Sequence, residues 1–373
     1  DAQHTDLLLI LNFALRKRHV FPEWCQRAIV AVPKVPSSSD IETSRPITLV
    51  DVLQKACMGV IWGRVTRVWE SHHLLDPGQL GSRKGQNAQT ALAMVTALSE
   101  LCCSDCCDFF CVATDISKCY DSICFGVKEL ALSRLGLPVD FIDYYMQIDH
   151  KNVADVITAF GRSSEVLGSE GIFSFKRGCP QGHSESPAIW VAVLDALFSL
   201  QRRPDLGNAE GAVEITGASL RRPPTVPSPP FDTSRSTPGI CFVDDGMWYS
   251  TTRRGLEIRL GVCNLFFEFI GVQFNLQKTR AMGVEWRGAP VDLITAGWTP
   301  WAYDTSVLFR DGRLNVLASS NHILADAARV GDVKVVALSV GVRYLGINWS
   351  PIDSLIDTRS THNGTVRAIL ADL

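Results

Sequence analysis

The stretch Ile240-Cys-Phe-Val-Asp-Asp-Gly-Met-Trp-Tyr-Ser250 decides how the rest of the chain is read. Two apolar runs, Ile240 to Val243 and Met247 to Ser250, flank Asp244-Asp245-Gly246. The pattern predicts a β-hairpin with carboxylates at its turn. Adjacent aspartates repel each other unless positive charge lies nearby. A divalent cation is the usual remedy, and hard carboxylate oxygens suit Mg2+. Taken alone, Asp-Asp-Gly is no more than a good hairpin turn. Its neighbours strengthen the metal reading. Phe109 to Ala113 is an apolar run of strand length that delivers Thr114-Asp115 at its end. Carboxylates from separate strands can hold two Mg2+ ions, which activate an attacking hydroxyl and stabilise a leaving pyrophosphate.

The 373 residues carry Lys+Arg 36 against Asp+Glu 39, a formal net charge of −3, and 46% are hydrophobic against 20% charged. Such a composition excludes a disordered chain. The length suggests two or three units at about 150 residues each. No run of about 18 apolar residues exists, so no membrane span is expected. Leu7 to Leu15 is apolar but is followed by Arg16, Lys17 and Arg18, the wrong order for a signal peptide. Several of the 12 cysteines (Cys57, Cys111, Cys241, Cys263) sit inside apolar runs, as buried free thiols do. An intracellular, reducing setting is expected, with nucleus and cytoplasm undecided. Cys102, Cys103, Cys106 and Cys107 offer one chelating half of a zinc site, without a second pair at matching spacing. The start at Asp1 rather than Met suggests a fragment or processed piece.

Around the hairpin, periodicity predicts helices over Leu7–Arg18, Asp51–Glu70, Ala88–Leu101, Phe125–Leu135, Pro187 to about Arg202, and Leu256–Ile270. Asp51 is the expected N-cap of the second, with Leu53, Cys57, Val60, Ile61, Val65 and Val68 as its apolar positions. Ser186 is the expected cap of the helix after Pro187. Ala28 to Val32 reads as a strand. Residues 203–238 carry Pro204, Pro223, Pro224, Pro227, Pro229, Pro230 and Pro238 and read as an inserted loop. Residues 281–340 read as mixed strands and loops.

The order of further motifs is informative. Asp115-Ile-Ser-Lys-Cys-Tyr-Asp121 comes first, then Arg177-Gly-Cys-Pro-Gln-Gly182, then Phe242-Val-Asp-Asp245. This order resembles the reverse transcriptase family, specifically its non-LTR retrotransposon and group II intron branch. Ala28-Ile-Val-Ala-Val-Pro-Lys34 and Arg45-Pro-Ile-Thr-Leu49 resemble its two fingers motifs, and Gln79-Leu-Gly-Ser-Arg-Lys-Gly85 resembles the Gln-x-Gly-Phe-Arg stretch that follows them. Asn275-Leu-Gln-Lys-Thr279 resembles its Lys-Thr motif, and Tyr344-Leu-Gly346 its primer-grip turn. The resemblance runs collinearly over about residues 5 to 350. The departures are His183-Ser-Glu-Ser-Pro187 for Ser-Pro-x-Ser-Pro, Ser82 for Phe, Phe242-Val243 for Tyr-Ala, and the insertion. Glu185 is expected to set a negative charge beside the nucleotide pocket.

The resemblance implies an α+β fold: right-hand polymerase fingers and palm, with an antiparallel palm sheet flanked by helices and the thumb incomplete or absent. It implies fingers over 1–100, palm over 101–280, and palm end with partial thumb over 281–373. It implies an RNA-directed DNA polymerase that joins a dNTP to a primer 3′-hydroxyl on an RNA template, using two Mg2+ ions, with Mn2+ as a substitute. Asp115, Asp244 and Asp245 are the implied metal and catalytic carboxylates, and Lys278 the residue that steadies or protonates pyrophosphate. Arg45 and Lys34 would meet the triphosphate, Tyr120 the sugar, and Gln181 with Gly182 the nucleotide and template. Lys118 and Asp121 read as structural or solvent-facing. The implied partners are RNA template, DNA primer and dNTP; no membrane is expected and protein partners are unknown. The rival readings are an RNA-dependent RNA polymerase and a catalytically degenerate RNA-binding copy. A basic footprint is expected of such an enzyme. Only Arg64 and Arg67, Arg83 and Lys84, Arg202 and Arg203, and Arg253 and Arg254 supply local clusters.

Overall fold

The structure, a computed structural model, describes residues 2–34, 44–104, 108–206, 214–215, 235–236, 238–275, 278–284, 313–316, 331–335, 342–345 and 347–349. Its helices in chain order are α1 (Ala2–Lys17), α2 (Val52–Ser71), α3 (Ala88–Ser104), α4 (Cys119–Ser122), α5 (Phe125–Arg134), α6 (Val139–His150), α7 (Ser163–Leu167), α8 (Ser186–Gln201) and α9 (Arg253–Ile270). The early strands are β1 (Gln26–Pro33), β2 (Ser44–Val50), β3 (Phe109–Thr114), β4 (Ile116–Ser117), β5 (Val153–Thr158) and β6 (Gly161–Arg162). The later ones are β7 (Glu214–Ile215), β8 (Arg235–Ser236), β9 (Gly239–Phe242), β10 (Asp245–Ser250), β11 (Gln273–Phe274), β12 (Arg280–Val284), β13 (Arg313–Val316), β14 (Gly331–Val335), β15 (Val342–Tyr344) and β16 (Ile347–Trp349). Most of the 203–238 and 281–340 segments, Cys106, Cys107 and Gly346 lie outside the described residues.

The chain forms two compact units, Asp1–Leu75 with Lys118–Val193, and Asp76–Ser117 with Leu194–Leu373. They interleave along the chain.

The first unit holds a four-stranded sheet in the order β2-β1-β5-β6. The β1–β2 pair is antiparallel and sets Arg45 opposite Val32, whereas β1 and β5 run parallel. A parallel pair needs a long crossover, and α2 and α4 to α6 lie between these strands in sequence. Asp51 caps α2 as expected, its Oδ1 accepting the Gln54 N–H at 2.9 Å. The buried face of α2 differs from expectation. Cys57, Met58, Trp62 and Trp69 are buried, while Leu53, Val60 and Val68 are exposed. The large indoles decide the face, because Trp62 packs edge-on against Trp69, Phe141 and Tyr145. Beneath lies a buried charge triad. Asp149 Oδ1 accepts from Arg27 Nη2 and Oδ2 from Lys128 Nζ, both at 2.7 Å.

The second unit holds a six-stranded sheet in the order β13-β14-β12-β3-β10-β9. It is antiparallel from β12 to β9, as expected, and β12 pairs with β14 in parallel. All six residues of β3 are buried, as befits a central strand. α9 is capped by Thr252, whose hydroxyl accepts the Gly255 N–H at 2.9 Å. Among the described residues, no helix is long and apolar enough to cross a membrane.

Candidate active site

Within the second unit the hairpin forms between β9 and β10, pairing Asp245 with Phe242. The turn is therefore Val243-Asp244, one residue earlier than expected, and Asp245 already belongs to the strand. Val243 has φ +61°. A β-branched residue in that region costs about 1–3 kcal/mol and marks a backbone held by its surroundings. The holder is the Gln79–Gly81 segment. Leu80 N–H donates to the Cys241 carbonyl and Cys241 N–H to the Gly78 carbonyl, both at 2.8 Å. A Cβ on Gly81 would stand 2.1 Å from the Val243 nitrogen, so only glycine lets the turn seat there.

Strand β10 pairs with β3 so that Gly246 lies opposite Thr114. Asp115 follows Thr114 directly and Asp245 precedes Gly246, and the Asp115 charge acts on the Asp245 carboxyl. The sheet thus brings together carboxylates 130 positions apart (245 − 115) at one strand end. Asp244 is exposed at the hairpin tip. Burial first, then the Asp244 and Asp115 charges, push the Asp245 carboxyl up to about 6, and Arg343 pulls it back. Arg343 on β15 is a neighbour the sequence reading missed. Its strand-mate Tyr344 is buried and donates its hydroxyl to the Ile240 carbonyl at 3.4 Å, which ties the primer-grip-like segment to β9.

A second support comes from the Asn275–Thr279 turn. Asn275 N–H donates to the Asp115 carbonyl at 2.9 Å. Asp115 N–H donates to the buried Thr279 hydroxyl at 3.3 Å. Lys278 Nζ lies 3.8 Å from Asp115 Oδ2, on an exposed side chain. Lys278 therefore joins the carboxylate group, as a mobile-stemmed cation at its rim.

The remaining expected residues all belong to the first unit. Lys34 follows β1 and Arg45 lies on β2, both exposed. Tyr120 is half-buried, its ring 5.8 Å from that of Trp190. The Arg177–Gly182 loop is anchored through its backbone. Thr48 N–H donates to the Gln181 carbonyl at 2.7 Å, and Gly182, at φ +111°, has no room for a Cβ, which would meet the Thr48 oxygen at 2.7 Å. Gln181 Nε2 donates to Asp121 Oδ2 at 3.2 Å, so Asp121 is not a solvent-facing charge.

Three expectations are corrected. Glu185 is buried, accepting from His183 Nδ1 and from the Ser184 hydroxyl, both at 3.1 Å, instead of facing a nucleotide pocket. Ser186 donates its hydroxyl to the Pro180 carbonyl at 2.7 Å and does not cap α8. Much of the local basic charge is spent internally. Arg83 donates to the Asp76 and Gln79 carbonyls, Arg202 pairs with Asp76 at 2.5 Å, and Arg253 and Arg254 face Glu257.

Among the described residues, no three His, Cys, Asp or Glu side chains close around one point. Mg2+ needs no such cage, because it takes one or two carboxylates and keeps waters or substrate phosphates as its other ligands. Clustered, partly exposed aspartates whose repulsion already raises one of them fit a hard divalent cation.

The family described as reverse transcriptase (RNA-dependent DNA polymerase) matches residues 32–348 of this chain. The chain belongs to the reverse transcriptase family. It is similar to the retrovirus-related Pol polyprotein of the type-2 retrotransposable element R2DM of Drosophila melanogaster, at 25% identity over 260 residues. It is also similar to the Pol polyprotein of the type-1 retrotransposable element R2 of Popillia japonica, at 23% over 272 residues. These alignments cover 69% and 72% of this chain but 21% and 34% of the relatives. The motif reading of a reverse transcriptase is borne out. Among solved structures, apo telomerase from Candida tropicalis truncated from its C-terminal domain aligns at TM-score 0.46 and 12% identity, over 75% of this chain and 55% of that one. Candida tropicalis telomerase in complex with a fragment of telomeric RNA aligns at TM-score 0.47 and 12% identity, over 74% and 44%.

Proposed function

We propose that this chain catalyses RNA-templated DNA synthesis, extending a primer 3′-hydroxyl with dNTPs. The first unit would serve as fingers and the second as palm. The observation that supports the reading is the β3–β10 register, which pairs Thr114 with Gly246, so that Asp115 follows one partner and Asp245 precedes the other. Asp115 and Asp244 would hold the metal ions, with Asp245 assisting. Two Mg2+ ions bound there would activate the primer hydroxyl and neutralise charge on the triphosphate. The protein's own part is position and charge. The Gln79–Gly81 segment keeps the hairpin turn in its strained form, and Thr279 and Asn275 hold the Asp115 backbone. Lys278, at the rim, would steady the departing pyrophosphate or give it a proton. Arg45 would grip phosphate oxygens in a bidentate fashion, with Lys34 adding charge. Tyr120 would stand against a 2′-hydroxyl, and Gln181 with Gly182 would contact nucleotide and template.

Primer extension on an RNA template with Mg2+ tests the reading. The parent extends the primer, and Asp244→Ala does not. Equal extension by both would remove the assignment.

A further inference from the structure

We infer that Asp121 is a positioning residue for the incoming nucleotide: its carboxylate turns the Gln181 amide so that the amide oxygen faces the ligand. The inference rests on the reading of Gln181 as a nucleotide contact. Gln181 Nε2 lies 3.2 Å from Asp121 Oδ2 and 3.5 Å from Oδ1. A carboxylate accepts hydrogen bonds and donates none. The amide therefore cannot reverse without setting its oxygen against two others. Its nitrogen is committed inward, and Oε1 is left to receive a donor.

Both ends of this arrangement are fixed. The Gln181 carbonyl accepts the Thr48 N–H at 2.7 Å. The Asp121 segment is stitched to the glycine-rich loop, since Cys179 N–H donates to the Tyr120 carbonyl at 2.6 Å and Gly178 N–H to the Ile123 carbonyl at 2.7 Å. Asp121 is half-buried. Burial raises its carboxyl above the ordinary range, and Gln181, Lys118 and Lys34 pull it back. A lone surface glutamine presents donor or acceptor with near-equal ease. Fixing one orientation before binding spares that ordering cost when the ligand arrives. The ligand group that meets Oε1 is then an O–H or N–H donor, from the nucleotide sugar or its base.

The test is steady-state primer extension with the full chain, reading KM for dNTP separately from kcat. Asp121→Ala is expected to raise KM about tenfold, the loss of one charge-assisted hydrogen bond, with little change in kcat. Asp121→Asn, which still offers an acceptor oxygen to Gln181, is expected to recover most of that loss. In the Gln181→Ala background, Asp121→Ala is expected to add nothing further. An equal KM rise for all four dNTPs assigns a sugar hydroxyl, and a rise confined to bases with an amino group assigns the base. An unchanged KM in Asp121→Ala, or an effect that adds to that of Gln181→Ala, overturns the inference while leaving the polymerase reading standing. A parent chain that extends no primer overturns that reading and this inference with it. Should Asp121→Ala not fold, Asp121→Ser, too short to reach Gln181, stands in with the same expectations.

Discussion

Two aspartates, one from each unit, meet opposite fates. Asp149 is buried in the first unit, and burial by itself would raise its carboxyl. Lys128 and Arg27 outweigh that penalty and bring it below the ordinary range. Asp245 is only partly buried, yet burial and two neighbouring aspartates raise it to about 6. The first carboxylate is compensated twice over by charges on β1 and α5. The second is set among like charges, with Arg343 acting against them. The contrast separates a compensated carboxylate from one left among like charges, which suits the cation-binding role proposed for it. Repulsion left uncompensated within a protein is useful where a cation is to bind.

The largest effect should come from the ready side. Asp115→Ala is expected to cut primer extension about 10³-fold or more, while leaving the melting temperature level or higher, because it relieves repulsion. A fall in thermal stability of several degrees would break the contrast. On the compensated side the order reverses. Asp149→Ala leaves Arg27 and Lys128 buried without their anion and is expected to cost about 3–5 kcal/mol, read from the denaturant midpoint. Extension per folded molecule should stay level. The hairpin turn comes next. Gly81→Ala sets a Cβ against the Val243 backbone and is expected to lower extension about 10²-fold by shifting the aspartates, with only a modest loss of stability. The smallest effect is the pH dependence. The folded carboxyl of Asp149 lies below its unfolded value of about 4, so its contribution is complete above that value. It fades as pH falls through the folded value. The stability gap between parent and Asp149→Asn should therefore narrow on acidification and be flat near neutrality, as followed by denaturant titration at several pH values.

The carboxylate site was legible because its signals are local and chemical. Apolar strand runs lead to Asp115 and Asp244, and the β3–β10 ladder brings the two strand ends together. The turn position was misread by one residue, since Asp-Asp-Gly favours a turn and only the Gly81 contact shifts it to Val243-Asp244. The α2 face was misread because valines at helical spacing mimic a core stripe, whereas Trp62 and Trp69 bury more area and take the inside. Glu185 was misplaced for want of its partner. A glutamate beside a loop looks exposed until His183 is seen bonded to it. Asp121 closes the first motif, but its bond to Gln181 carries no sequence signal, and neither does the charge of Arg343 acting on Asp245, because each pairing joins residues far apart along the chain.

The central claim is that carboxylates distant in sequence share one divalent-cation site. Fe2+ substituted for Mg2+, with ascorbate and peroxide, cuts backbone close to where it binds. The account predicts paired cuts near residues 115 and 244–245, suppressed by excess Mg2+ and lost in Asp115→Asn. Cuts near one segment without the other, or a pattern unchanged in Asp115→Asn, would contradict it.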